Sequence, residues 1–182
     1  MSKIHNKRLF LEKSAELFRK KKIDSFPYDP FKPRFRPEEY YTSGHCAEFA
    51  YSFAKFAKDN GIEPTVTVIY SNQYDGKTDE HIGKVLSHCV VEIEHEGKTI
   101  SFDINGDEAT QTWLIKVDYI YHCSPMNYKL EFERMGFEDS YERLQEICSE
   151  QNVPFDKDEI ALDIDVFDSI RNSKQCCNEL SA

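Results

Sequence analysis

The chain has no apolar run approaching the ~20 residues that cross a bilayer. Its basic start, Met1 to Arg8, is followed by no continuous apolar segment of the kind a secretory signal carries. Neither a membrane protein nor an exported precursor fits, and a cytoplasmic protein is expected. Glycine is scarce, 7 residues in 182, and builds neither a phosphate-cradling loop nor a dinucleotide fingerprint; a serine-centred elbow is missing too. Internal repeats and low-complexity tracts are also lacking.

What is present suffices for a packed domain. Apolar residues make up 40% of the chain and aromatics 13%, mostly 13 Phe and 10 Tyr, enough to build a core rather than a disordered chain. A length of 182 residues suits one domain. The expected span is 1–172: a basic helix with a Pro/aromatic arm (1–41), a catalytic-type core (42–128) and an acidic helical extension (129–172). A disordered tail over 173–182 follows. The six cysteines, Cys46, Cys89, Cys123, Cys148, Cys176 and Cys177, are expected as reduced thiols in a chain without a signal peptide.

Charge is unevenly placed. Residues 1–37 hold 11 Lys/Arg and 4 Asp/Glu, a net of +7, while the other 145 residues carry −17. The run Arg19-Lys20-Lys21-Lys22 is open to two readings, a solvated helix end favoured by the helix dipole or a surface for an acidic partner. The acidic body and the lack of any nucleic-acid motif argue against a dedicated nucleic-acid binder.

The hydrophobic pattern predicts a helix over 3–22 and an extended Pro/aromatic segment over 24–37. A second helix runs from Ser43, its expected N-cap, to Asn60, with Cys46, Phe49, Ala50, Phe53, Phe56 and Ala57 at spacings of three and four and Gly61 as the stop. Residues 65–70 read as a strand and 71–83 as an exposed loop. A hairpin follows, 87–94 and 98–104 around Glu96-Gly97, with position i facing 193 minus i. Cys89, Val91, Ile93, Ile100, Phe102 and Ile104 then share an apolar face, while His88 lies diagonal to Asp103 on the other. A short helix over 108–114 and a strand over 115–121 are expected next, and helices over 129–150 and 157–172. The fold class is α+β: an antiparallel sheet packed against a central helix that carries a Cys at its N-terminus, with extra N- and C-terminal helices.

A nucleophilic thiol needs a lowered pKa, a base and a group that fixes the base. Cys46 alone among the cysteines is expected in the first turn of a helix, where the dipole and unpaired N–H groups favour a thiolate. His88 supplies an imidazolium partner, and Asp103 on the next strand holds its ring. The competing reading makes Cys46 a small buried hydrophobe, His88 a core histidine and Asp103 a strand-end residue.

Three segments carry a resemblance: Ser43-Gly44-His45-Cys46-Ala47-Glu48-Phe49-Ala50, Ser87-His88-Cys89-Val90-Val91-Glu92-Ile93, and Gly97-Lys98-Thr99-Ile100-Ser101-Phe102-Asp103-Ile104-Asn105-Gly106. In this order they resemble the papain-like and transglutaminase-like thiol hydrolase superfamily over about residues 42–106. The resemblance implies a Cys46–His88–Asp103 triad that attacks an acyl carbonyl, with the Cys46 N–H as an oxyanion donor. No Trp or Gln before Cys46 matches a family oxyanion donor, and no paired calcium motif is present. Peptide hydrolysis, deamidation, transamidation and acyl transfer all remain compatible with it.

His45 and Glu48 flank the thiol, as a substrate contact or second base and as a helix-dipole or site-orienting carboxylate. No cofactor is expected. Zinc on His45, Cys46, His88 and Cys89 is disfavoured because adjacent strand residues point to opposite faces. The expected substrate is a protein, a peptide or a small amide or acyl compound, with 71–83 and 24–37 as walls of the cleft. A different class of reading keeps the fold as a non-catalytic binding or inhibitory module, with the basic N-terminal segment or the acidic C-terminal helices as its partner surface.

Overall fold

The computed structural model describes residues 6–25, 36–42, 44–107 and 126–173. Its elements in chain order are α1 (Lys7–Ser25), α2 (Pro37–Thr42), α3 (Cys46–Asp59), β1 (Pro64–Asp75), β2 (His81–His95), β3 (Lys98–Phe102), β4 (Met126–Gly136), α4 (Phe137–Glu150) and α5 (Lys157–Arg171). The strands form one antiparallel sheet in the order β3-β2-β1-β4. Helices packed with an antiparallel sheet place the chain in the α+β class.

α3 organises the core because it is apolar around most of its circumference. Phe49, Ala50, Phe53, Ala54, Phe56 and Ala57 are all buried, the pattern of a helix enclosed between layers rather than lying on a surface. It packs on the sheet face bearing Val66, Val68, Tyr70, Cys89, Val91, Ile93 and Phe102. Phe53 meets Phe102 with ring centroids 6.1 Å apart. Away from the sheet, Phe18 of α1 stacks on Phe167 of α5 at 4.5 Å and meets Phe49 edge-on at 5.3 Å. Each such buried ring contributes roughly 1.5–3 kcal/mol through surface removed from water.

The β2–β3 hairpin has the register expected from its alternation: Glu92 faces Ser101 and Ile93 faces Ile100. Its two loop residues, Glu96 and Gly97, have φ of 52° and 73°, the left-handed pair that matches strand twist. α5 begins at Asp156, whose carboxylate accepts from the N–H groups of Asp158 and Glu159.

Two expected elements are corrected. Residues 71–83 are no loop, because β1 continues to Asp75 and β2 starts at His81. The polar Ser71, Asn72 and Gln73 are held by ladders on both sides, from Val85, Lys84 and Gly83 of β2 and from Leu130, Lys129 and Tyr128 of β4. The proposed cleft wall is thus the distal half of a hairpin. The helix expected over 129–150 is a strand to Gly136 followed by α4. Cross-strand charge pairing sustains β4: Glu131 with Lys84, and Arg134 with Glu92 at 2.8 Å.

The basic run at the end of α1 is not a uniformly solvated patch. Lys20 and Lys21 are exposed, whereas Lys22 is buried and lies 2.8 Å from Glu159 and 2.7 Å from Asp163. Tyr41 of α2 donates to Asp163 at 2.6 Å, so one buried carboxylate ties α1, α2 and α5 together. The N-cap of α3 is His45 and not the expected Ser43, because the helix starts only at Cys46. Ser43 itself, the elements expected over 108–121, most of the Pro/aromatic arm, Cys123, Cys176, Cys177 and all but Ser173 of the tail lie outside the described residues.

Candidate active site

The site forms where the β3 edge of the sheet runs out. The β2–β3 ladder ends at the Val91–Phe102 pair. Beyond it Asp103 and Gly106 close a turn on themselves, each N–H donating to the other's carbonyl at 3.3 and 3.1 Å. At His88 and Cys89, β2 is paired with Ile69 and Val68 of β1, and among the described residues no strand pairs with its other edge. The start of α3 reaches that edge, where the Cys89 backbone N–H helps to lower the Cys46 pKa.

Cys46 is the first residue of α3. The preceding turn includes Gly44 at φ 129°, a left-handed conformation that side chains other than glycine rarely adopt. His45 is the N-cap without a side-chain cap bond, so its side chain leaves the first-turn N–H groups uncapped.

His88 Nε2 lies 2.9 Å from Asp103 Oδ2, and the imidazole and the Cys46 thiol shift each other's pKa. Asp103 is itself held: its Oδ1 accepts from the Asn105 N–H at 2.6 Å, and its Oδ2 from the Asn105 side-chain amide at 3.4 Å. All three residues are buried, with Cys46 the most accessible at 8% against 1% for His88 and 3% for Asp103.

The electrostatics favour a thiolate–imidazolium pair. The Cys46 pKa is lowered well below the usual thiol range, first by a hydrogen bond from the Cys89 thiol. Burial opposes this, while the His88 hydrogen bond and charge and the Cys89 N–H reinforce it. Burial alone would pull His88 down, but the hydrogen bonds to Asp103 and Cys46 and the charges behind them raise it to about 9. Cys89 moves the opposite way, its proton retained by the hydrogen bond to Cys46 and by burial.

The sequence-predicted residues fall into two groups. Cys46, His88 and Asp103 come together as a chain of contacts. His45 and Glu48 form their own pair: the His45 ring stacks on Tyr40 at 4.0 Å, and its Nδ1 lies 3.4 Å from Glu48 Oε1. Glu48 is fully buried, and its Oε1 accepts the Asp156 N–H at 3.1 Å. It fastens the first turn of α3 to the N-cap of α5. Burial raises its pKa, against the lowering effect of the Asp156 hydrogen bond.

Two contributors were not evident from the pattern. Cys89, expected on the apolar face of the hairpin, is in the core, and its thiol also bears on the ionisation of Cys46. Asn105 binds Asp103, and its signal was the Asp-x-Asn spacing of an Asx turn. Cys148 of α4 is a third buried thiol whose pKa burial pushes up to about 12, with Glu48 and Cys46 adding to the shift. Among the described residues no cluster of three or more His, Cys, Asp or Glu side chains is arranged to hold a metal ion. No helix among them is long and apolar enough to cross a membrane.

Compared with protein-family models, curated proteins and solved structures, the chain matches none.

Proposed function

We propose that this protein is a cysteine-dependent hydrolase or acyl/amide transferase of the papain-like and transglutaminase-like type. The observation that carries the reading is the buried line from a helix-start thiol through an imidazole to a carboxylate, with 2.9 Å between His88 Nε2 and Asp103 Oδ2. The low thiol pKa beside a raised imidazole supports it, since a stored thiolate needs no base at the moment of attack.

In this mechanism the Cys46 thiolate attacks the acyl carbonyl, and the carbonyl π electrons move to oxygen. The Cys46 N–H, one of the four at a helix start with no intrahelical acceptor, donates to that oxyanion. As the tetrahedral intermediate collapses, His88 gives its proton to the leaving nitrogen or oxygen, leaving a thioester on Cys46. His88 then takes a proton from water or an acceptor amine, which attacks the thioester and restores the thiolate. Asp103 holds the ring in one orientation and favours its charged form.

The test is labelling with a thiol-reactive acyl or peptide probe near neutral pH, followed by mapping of the modified residue. Labelling confined to Cys46 and abolished in Cys46→Ala is expected. Cys46 labelling no faster than that of the other cysteines would falsify the reading and leave a binding module as the better one.

A further inference from the structure

We infer that Glu12 of α1 is a positioning residue for the candidate site, acting through the turn 103–107 on Asp103. This rests on the proposed Cys46–His88–Asp103 chemistry and extends it to a residue more than thirty positions before the thiol.

Three side chains of α1 grip the turn. Glu12 Oε2 accepts the Asp107 N–H at 2.7 Å. Arg8 pairs with the Asp107 carboxylate, and Arg19 donates to the Ile104 carbonyl. Both backbone groups so engaged belong to the turn whose own bonds, Asp103 with Gly106 and Asn105 with the Asp103 carboxylate, set where that carboxylate sits. Gly106 completes the fit. At φ 105° it occupies a region L side chains rarely adopt, and a Cβ there would run into the Glu12 carboxylate. The lack of a side chain at 106 is therefore what lets Glu12 reach the backbone.

The three grips differ in weight. Arg8 has an exposed side chain, so its pair with Asp107 adds little. Glu12 is half-buried, and its bond to a backbone N–H is charge-assisted. Among the described residues the turn has no ladder partner beyond Phe102, and apart from Glu12 those that hold it are its own internal bonds, Arg8 and Arg19. An Asp103 that drifts lengthens its bond to His88, the imidazolium loses support, and the Cys46 thiolate loses its counter-charge. Glu12 borders a surface cavity of ≈ 480 Å³ shared with Asn6, Leu9 and Asn105. Substitutions there open to solvent, not into the core.

The experiment compares the pH dependence of Cys46 alkylation by iodoacetamide, with modified residues mapped, in the wild type, Glu12→Asp, Glu12→Gln and Ala15→Gly. Glu12→Asp shortens the arm by one methylene. Its alkylation midpoint is expected to move up by about 0.5–1 pH unit, with roughly three- to tenfold slower labelling below that midpoint. Glu12→Gln retains an acceptor of full length and is expected to stay close to wild type. Ala15→Gly loosens α1 without touching the turn, so it lowers Tm and leaves the midpoint in place. The His88 ring pKa, followed by NMR, is expected to fall in Glu12→Asp only. An unchanged midpoint and His88 pKa in Glu12→Asp, or an equal shift in Ala15→Gly, overturns the positioning role. A wild-type Cys46 without a depressed midpoint overturns the thiolate reading itself, whatever the variants do.

Discussion

Cys89 bears on the ionisation of Cys46 twice, through its thiol and through its backbone N–H, and both hold the Cys46 pKa down. Substitution can remove only the first. Cys89→Ala is expected to raise the pH midpoint of Cys46 alkylation and slow the reaction several-fold at pH 6, while Cys89→Ser, which keeps an O–H donor, stays nearer the wild type. Mapped alkylation rates across pH check this, and a Cys89→Ala midpoint equal to wild type would show that the thiol contact does not stabilise the anion.

If Cys46 works as an acyl acceptor, the rate with an activated ester or amide rises as the thiol ionises and falls as His88 loses the proton it must donate. The falling limb is expected near pH 9, where the imidazole titrates. His88→Ala should cost about 10²–10⁴-fold at neutral pH. A rate that keeps rising past pH 10 contradicts the assignment of His88 as the acid.

Asp103 also links pH to stability. Because His88 is raised to about 9 from an unfolded value of ~6.5, its contribution is complete below ~6.5 and is lost as pH rises through about 9. Asp103→Asn weakens that contribution, so its loss of stability relative to wild type is expected to be larger at pH 6 than at pH 9.5. Urea midpoints of both proteins at the two pH values decide the point, and an equal difference at both would separate Asp103 from His88 energetically.

Glu48 is expected to matter as an acceptor more than as a charge. Glu48→Ala leaves the Asp156 N–H without its partner and should cost about 1–3 kcal/mol. Glu48→Gln keeps an acceptor and removes a carboxylate whose pKa burial raises, so it should cost less. Thermal or urea unfolding distinguishes the two, and a Glu48→Gln variant as unstable as Glu48→Ala would show that the charge itself is required.

Lys22 faces two carboxylates, one of them fully buried. Lys22→Met is expected to destabilise by about 3–5 kcal/mol at pH 7.5, since it strands the Asp163 charge. The pKa of Asp163, raised by burial to about 6, lies above its unfolded value of ~3.9. Protonation therefore favours the folded state as pH falls through about 6, and the deficit of Lys22→Met should shrink by pH 5. A deficit that grows on acidification would rule this out.

The parts legible in the sequence are those whose pattern and burial agree. α3 is apolar at helical spacing, and β2–β3 alternates around a two-residue turn, so Cys46 and His88 could be placed from periodicity alone, whereas Asp103, expected on the strand opposite Val90, sits one residue past its end in a turn closed with Gly106. β4 was not legible as a strand: Leu130 and Phe132 alternate with charges, but the partners that make those charges tolerable, Lys84 for Glu131 and Glu92 for Arg134, are more than forty residues away. Ser71 to Gln73 looked like a loop for the same reason, their ladder partners being supplied by tertiary structure. Cys89 shows the limit of a two-residue period. Alternation assigns it to one face, but not what waits at the strand's edge, and a register irregularity between Ile69 and Tyr70 lies beside it.

The pairing of β1 with β4 joins Thr65 to Gly136 and has a consequence for the order in which the protein assembles. Every proposed reacting group has been synthesised by residue 103, yet one side of the central strand stays open until residue 136. The helix that packs against α3 and receives Lys22 does not end until Arg171. Long loop closures of this kind are slow to form. A nascent chain therefore holds Cys46, His88 and Asp103 well before it holds the scaffold that aligns them, and the proposed site is completed late, with the last helix.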